Sequence, residues 1–176
     1  MTSLHNLGQR ICVMGPSNSG KSTLANAIGV RQRLPVVHLD VLFHEPHTDW
    51  KPRQDAEFLS LHHQAIEKDC WVMEGNYTRC ITQRLARATG IILLDVSTVT
   101  SLIRYFRRTW FEHDRLGALE GGVDSIKWQM IRHIAISTPP NRRKYAEIFE
   151  SINLPKLKLV TADAINHFYQ VEGLGS

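Results

Sequence analysis

Nine consecutive residues, Gly15-Pro16-Ser17-Asn18-Ser19-Gly20-Lys21-Ser22-Thr23, follow the pattern G-x-x-x-x-G-K-[ST] and constrain the chain more than any other feature. The apolar run Ile11-Cys12-Val13-Met14 precedes them and Leu24-Ala25-Asn26-Ala27-Ile28 follows. The order is therefore strand, tight loop, helix. Gly15 and Gly20 let the backbone pass through conformations that a side chain would forbid, turning successive N–H groups inward on a phosphate chain. The helix opening at Lys21 adds the partial positive charge of its N-terminus. Lys21 can reach the β- and γ-phosphates as a point charge, and the Ser22 hydroxyl can coordinate a Mg²⁺ that bridges them. All nine residues, Gly15 to Thr23, are expected to bind a nucleoside triphosphate.

The rest of the chain has to supply a core and a second ligand. At 176 residues one compact domain, 1–176, is expected. Hydrophobic residues at 43% and charged residues at 22% are ordinary globular values, which excludes disorder, collagen-like repeats and coiled coil. Lys and Arg total 21 against 17 Asp and Glu, and that mild excess suits an anionic ligand without demanding nucleic acid. Cys12, Cys70 and Cys80 are an odd number in no metal-ligand spacing and read as reduced core thiols. His44 and His47 share a Pro-containing loop, while His62 and His63 are adjacent and diverge on a helix. Neither pair is a zinc signature, so solvated or hydrogen-bonded histidines are expected. No apolar run approaches the ~18 residues of a membrane span, and the N-terminus lacks a basic region followed by a long apolar stretch. A cytoplasmic protein without a membrane partner is expected.

Short β-branched apolar runs alternate with longer segments of helical period, the pattern of βαβ units around a parallel sheet. Strands are expected at Arg10 to Met14, Pro35 to Leu39, Trp71 to Glu74, Gly90 to Leu94 and Lys156 to Thr161. Their lack of alternation fits burial on both faces. Helices are expected at about Lys21 to Gly29, Gln54 to Glu67, Thr78 to Ala88 and Ser97 to Trp110, with a long insertion up to about Ser151. Within it, Glu112 to Val123 holds Gly117, Gly121 and Gly122 and reads either as a lid or as a plain surface loop. An N-K-x-D motif is absent, and no D-x-x-G follows a strand, which argues against a guanine-specific GTPase. The roughly 150 residues after the loop leave no room for the helical subdomain of a motor ATPase. Small-molecule phosphoryl transfer fits what remains.

From Ile11 to about Tyr169 the layout resembles the P-loop nucleoside and nucleotide kinases, and more closely the adenylate-kinase-like branch of topology-modulation, or FlaR-related, proteins. The resemblance implies a three-layer α/β P-loop fold, a mainly parallel five-stranded sheet in the order 2-3-1-4-5 and a helical lid at about 104–140. It also implies an acceptor-binding region at about 41–70, ATP as donor and Mg²⁺ as its partner ion. His38-Leu39-Asp40 closes the second expected strand, which puts Asp40 at the edge where open α/β folds bind ligands. By resemblance Asp40 is the base that accepts the acceptor proton, or an outer-shell Mg²⁺ ligand; the plainer reading is a turn cap. Trp50 and Arg53 follow it on the acceptor side.

Trp71-Val72-Met73-Glu74-Gly75-Asn76-Tyr77 resembles the acid-Gly turn after the third strand of adenylate-type kinases, with Glu in place of Asp. This makes Glu74 the Mg²⁺-side acid together with Ser22, and assigns Gly75, Asn76, Arg79 and Arg84 to the acceptor. Asp95, ending Ile91-Ile92-Leu93-Leu94, is the rival by pattern alone. Arg104, Arg107 and Arg108 oppose the apolar face Val99, Leu102, Ile103, Phe106 and Trp110 and lack acidic i,i+4 partners, except Glu112 after Arg108. The resemblance makes Arg104, Arg108 and Arg115 the clamp on the transferring phosphoryl group, in concert with catalytic Lys21. Arg142, Arg143 and Lys144 form a further basic cluster facing lid or water, and Asp163 is expected to cap the last helix.

The expected function is ATP-dependent phosphoryl transfer to a nucleotide, nucleoside or other small acceptor, by a monomer or homodimer. A non-enzymatic nucleotide-binding regulatory or DNA-associated module is the alternative, although no helix-turn-helix, finger or basic region supports DNA binding.

Overall fold

Five short apolar runs become five strands: β1 (Arg10–Met14), β2 (Val36–His38), β3 (Trp71–Glu74), β4 (Gly90–Leu94) and β5 (Lys156–Leu159). They lie in the order 2-3-1-4-5 with every neighbouring pair parallel, as the resemblance implied. The structure, a computed structural model, describes residues 3–48, 50–102 and 138–175. The helices are α1 (Lys21–Gln32), α2 (Leu39–Phe43), α3 (Asp55–Ile66), α4 (Ile81–Arg87), α5 (Thr138–Ser151) and α6 (Ala162–Glu172). Residues 98–102 are also helical. Among the described residues no helix is long and apolar enough to cross a membrane.

Successive side chains of a strand point to opposite faces, so a strand without polar alternation must be covered twice. Ile11, Val13, Val72, Ile92, Leu94, Leu157 and Leu159 pack with Leu24, Ala25 and Ile28 of α1 and with Ile165 and Phe168 of α6. Cys12, Met14, Met73, Ile91 and Leu93 pack on the other side with Ala65 and Ile66 of α3, Ile81 of α4, and Tyr145 and Phe149 of α5. Three layers result, with β1 central and its carboxyl end emerging between β3 and β4. At the β5 edge, Lys156 Nζ donates to the Phe149, Glu150 and Ile152 carbonyls and so caps α5 with a cation, where the helix dipole favours one.

Several local expectations are corrected. The second strand ends at His38, and Leu39 and Asp40 open the short helix α2, so Asp40 lies one residue inside a helix rather than at a strand end. Helix α1 continues through Gly29 to Gln32, because Gly29 is a contact rather than a stop: a Cβ there would lie 2.3 Å from Val36 Cγ2. The helix after β3 is split into a 3₁₀ turn, Thr78–Cys80, and α4. Thr161, not Asp163, caps α6, its Oγ1 accepting from Ala164 N at 3.0 Å. The strand expected to reach Thr161 ends at Leu159 because Thr161 takes that capping conformation. The cysteines are free, and burial pushes the Cys12 thiol up to about 11.

Two polar side chains sit in the layer between the sheet and α3 and α4. Arg84 and His62 are both 0% exposed. Arg84 Nη2 donates to the Gly75 carbonyl at 3.2 Å, while its Nε and Nη1 and both His62 ring nitrogens have no hydrogen-bond partner. His62 was expected to be solvated or hydrogen-bonded; it is neither, because α3 turns this position inward beside Phe58 and Ile66. Burial first, and then the Arg84 and His63 charges, lower its pKa to about 4.

The exit of β1 is fixed from β3. Gly15 adopts φ 149°, and a Cβ on it would stand 2.4 Å from the Leu94 carbonyl oxygen. Asn76 Oδ1 accepts from Gly15 N at 3.2 Å, and Asn76 Nδ2 donates to Gly15 O at 2.5 Å. The amide side chain thus pairs with both backbone groups of one residue, as a neighbouring strand would.

Two predictions follow from these contacts. The unfolded chain takes up a proton near 6.5 that folded His62 refuses until about 4, so the stability gained by keeping it neutral is complete above pH 6.5 and falls as pH drops toward 4. Urea unfolding at pH 7 and pH 4.5 should show a loss of about 2–3 kcal/mol that His62→Leu largely removes; an unchanged pH slope in the variant would refute the assignment. Asn76→Ala should cost about 1–3 kcal/mol in the same assay, since Gly15 N and O are left to find other partners. A cost below about 0.5 kcal/mol would mean that the pair holds nothing.

Candidate functional site

The loop after β1 is built from backbone that reverses direction three times, at Gly15, at Asn18 (φ 59°) and at Gly20 (φ 95°). Asn is among the non-glycine residues that tolerate the left-handed region best. Ser19 N donates to Pro16 O at 3.2 Å, and Leu24 N to Gly20 O at 3.0 Å, which joins the loop to α1 without a side-chain cap. Lys21 begins α1, and its Nζ donates to Pro16 O at 3.0 Å, so the ammonium is held over the loop. Ser17 is half-buried, Ser19 is buried and Thr23 faces outward. Between the two hydroxyls that end the motif, only Ser22 turns to the sheet.

Ser22 Oγ donates to Glu74 Oε1 at 3.1 Å. Glu74, the last residue of β3, is 3% exposed and also receives His38 Nδ1 at 2.9 Å. Since the carboxylate can only accept, the His38 proton sits on Nδ1, and Nε2 is left to accept from Asn26 Nδ2 at 3.4 Å. Burial alone would raise the Glu74 carboxyl. The His38 and Ser22 hydrogen bonds and the Lys21 charge outweigh it and hold the group below the ordinary carboxylate value. A buried carboxylate kept ionised beside a serine hydroxyl offers two oxygen donors of the kind that a hard divalent cation takes. His38 orients the Glu74 carboxylate, although nothing in its sequence position announced it.

Asp95 is differently placed. Its Oδ1 lies 2.7 Å from Arg142 Nη2, its backbone carbonyl accepts from the same atom at 3.1 Å, and Lys158 Nζ stands 3.4 Å from Oδ2. Two cations already neutralise this carboxylate, and the contact ties α5 and β5 to the end of β4.

Beside the loop opens a cleft of about 380 Å³. Pro16, Ser17 and Lys21 form one wall, and Asn141, Lys144 and Tyr145 of α5 form another, at i, i+3 and i+4 of one helical face. Asp40 and the turn from Gly75 to Arg79 close the side toward α2 and α3. Tyr77 OH donates to Asp40 Oδ1 at 2.6 Å. Arg79 pairs with Asp55 at the start of α3, and its guanidinium carbon lies 5.1 Å from the Phe43 ring centroid and 5.9 Å from that of Phe58. Of the cluster at 142–144, Arg142 is spent on Asp95 and Arg143 on Glu147 at 3.1 Å. Lys144 has no ion-pair partner among the described residues and faces the cleft.

The residues that sequence assigned to the acceptor are therefore scattered. Asp40, Gly75, Asn76 and Arg79 line the cleft. The Asn76 amide is already committed to Gly15. Arg84 is corrected: buried in the core, it reaches the turn from beneath through the Gly75 carbonyl and cannot meet an acceptor. Trp50 stacks edge-on against His44 at 5.1 Å, away from the cleft lining. Arg53 Nε donates to Leu42 O at 3.1 Å and Nη1 to Glu57 at 3.0 Å, closing the hairpin that links α2 to α3. Arg104, Arg108 and Arg115 lie outside the described residues. Tyr77, Asn141 and Tyr145 carried no sequence assignment; the helical spacing of 141, 144 and 145 was the available signal for the α5 wall.

No protein-family model and no curated protein matches the sequence. Solved structures do match the fold. A shikimate kinase from Bacteroides thetaiotaomicron aligns over 94% of this chain and 99% of its own at 18% identity, with a TM-score of 0.54. A shikimate kinase from Acinetobacter baumannii in complex with shikimate covers 93% and 90% at 13% identity and TM-score 0.53. A gluconokinase from Sinorhizobium meliloti 1021 covers 96% and 91% at 14% identity and TM-score 0.53. At these identities the likeness is one of fold, and the fold of this chain is that of small-molecule P-loop kinases.

Proposed function

We propose that the chain is a kinase that transfers the γ-phosphoryl group of ATP to a hydroxyl of a small anionic acceptor. The observation that carries this reading is the Asp40 carboxylate, exposed in the same cleft as the phosphate loop and Lys21. A hydroxyl must lose its proton to become a nucleophile, and a carboxylate at the acceptor side can take it. A phosphate acceptor is already deprotonated and would meet Asp40 as a like charge. Lys144, which has no ion-pair partner among the described residues, supplies a cation on the α5 wall of the cleft, which favours an acceptor that bears an anionic group besides its hydroxyl.

The loop amides and Lys21 bind and orient the triphosphate. Ser22 and Glu74 would hold Mg²⁺, which neutralises phosphate charge when bound. The acceptor oxygen forms its bond to the γ-phosphorus as its proton passes to Asp40; the bond to the β–γ bridging oxygen breaks and ADP leaves. Arg104, Arg108 and Arg115 are assigned to the transferring phosphoryl group by the sequence resemblance alone. This reading favours hydroxylated acids over nucleoside monophosphates as acceptors.

The test is ADP release across a panel of hydroxylated carboxylates, sugar phosphates, nucleosides and nucleoside monophosphates. Stimulation by a hydroxylated acid is expected, with Lys21→Ala lowering turnover about 10³-fold or more. Glu74→Gln should raise the magnesium concentration needed for half-maximal rate about 10- to 100-fold. Stimulation by monophosphates alone would overturn the hydroxyl reading. Absence of any stimulated turnover, with nucleotide still bound, would favour a regulatory binding module instead.

A further inference from the structure

Strands β2 and β3 are parallel neighbours with His38 paired to Glu74. Their exits therefore leave the sheet side by side, and two residues beyond His38 and three beyond Glu74 the chain places Asp40 and Tyr77 in contact. Each exit is constrained. Asp40 lies in the first turn of α2, with its backbone carbonyl accepting from His44 N at 3.1 Å and His44 Nδ1 at 2.8 Å. Gly75 leaves β3 at φ 131°, where a Cβ would come within 2.8 Å of Leu39 Cβ, and the 3₁₀ turn Thr78–Cys80 begins just past Tyr77.

The Tyr77 ring packs against both Phe43 and Phe58, with centroids 4.9 and 5.1 Å away, the three rings forming one triangle. That packing aims the hydroxyl at a single oxygen, Asp40 Oδ1, 2.6 Å away. Asp40 Oδ2 has no hydrogen-bond partner among the described residues. The nearby guanidinium of Arg79 is paired with Asp55, so the phenol is the sole hydrogen-bonding partner that the described residues give the Asp40 side chain. A carboxylate on a short helix at the surface would otherwise rotate freely about its side-chain torsions, and proton transfer requires a defined oxygen within hydrogen-bond reach of the acceptor.

We infer that Tyr77 is a positioning residue that anchors one carboxylate oxygen of Asp40 and presents the other, Oδ2, to the acceptor hydroxyl. This rests on the reading of Asp40 as the base. Tyr77 acts only as a donor: burial first, and then the Asp40 charge, raise its pKa above the ordinary phenol value, so it keeps its proton at any working pH. Because the ring is held by two other aromatic rings, Tyr77→Phe removes the hydroxyl and leaves the packing.

The experiment uses the full chain with the acceptor that most stimulates ADP release and compares Tyr77→Phe, Asp40→Asn and the double variant. Single-turnover transfer from labelled ATP reads the slow ones. Expected are a 10- to 100-fold fall in kcat for Tyr77→Phe with KM changed less than about threefold, and no further fall when Tyr77→Phe is added to Asp40→Asn. Urea unfolding of Tyr77→Phe checks that the fold is kept. Wild-type kcat in Tyr77→Phe, with Asp40→Asn inactive, would overturn the role of Tyr77 and leave the base assignment standing. An equal fall with and without Asp40 would show that Tyr77 acts on the fold rather than on the carboxylate, and would also overturn it. Full turnover in Asp40→Asn would overturn both.

Discussion

A single residue, Gly15 at the exit of β1, decides where everything else in the cleft can be. It occupies backbone space forbidden to a side chain and lies against the Leu94 carbonyl on one flank. On the other flank the Asn76 amide takes its N–H and its carbonyl. The phosphate loop is thereby tied to both strands that border β1. A loop that must present several N–H groups to an anion cannot satisfy them on itself, so its rigidity has to come from residues outside the motif.

Asn76 is in turn held from beneath. Arg84 is buried without a carboxylate partner among the described residues, and its Nη2 donates to the carbonyl of Gly75, next to Asn76 in the chain. A buried cation is costly, and a group that costs stability is retained where it fixes geometry that apolar packing would leave loose. The sequence of supports runs from α4 through Arg84 to the turn after β3, and from Asn76 to the start of the phosphate loop. The same turn carries Glu74 at one end and Tyr77 at the other. The two sides of the cleft thus share one four-residue support, Glu74 to Tyr77.

What could be read from sequence and what could not divide along the range of the interactions. Strands β1, β3 and β4 are interior, so their burial on both faces leaves a continuous apolar run whose bounds can be read directly. The phosphate loop is legible because its chemistry is carried by adjacent residues. The helix containing Asp40 is invisible to such reading: it is one turn long, and α2 exists because Leu39 is buried against Gly75 rather than because its residues favour helix. Arg84 reads as a ligand-facing cation because arginine is rarely buried, and only the packing of α4 on the sheet shows otherwise. Asp95 matches the expected strand-acid pattern better than Glu74 does. Its neutralisation by Arg142 and Lys158 depends on residues about 50 positions away, which no local pattern contains.

Three carboxylates stand at the carboxyl edge of this sheet, and their surroundings separate them more sharply than their sequence contexts do. Asp95 faces two full cations and is used as a brace for α5 and β5. Glu74 is buried with a serine hydroxyl, an imidazole N–H and the field of Lys21, an environment that keeps it charged while leaving it short of full neutralisation. Asp40 is exposed, with one neutral donor. On the proposed reading, Asp95 is structural, Glu74 is the place for a cation, and Asp40, with solvent on one oxygen and a fixed donor on the other, is the group that takes the acceptor proton. The order β2-β3-β1-β4 sets these three groups in a row across the end of the phosphate loop, with Asp40 at one end, Glu74 nearest the loop and Asp95 beyond it.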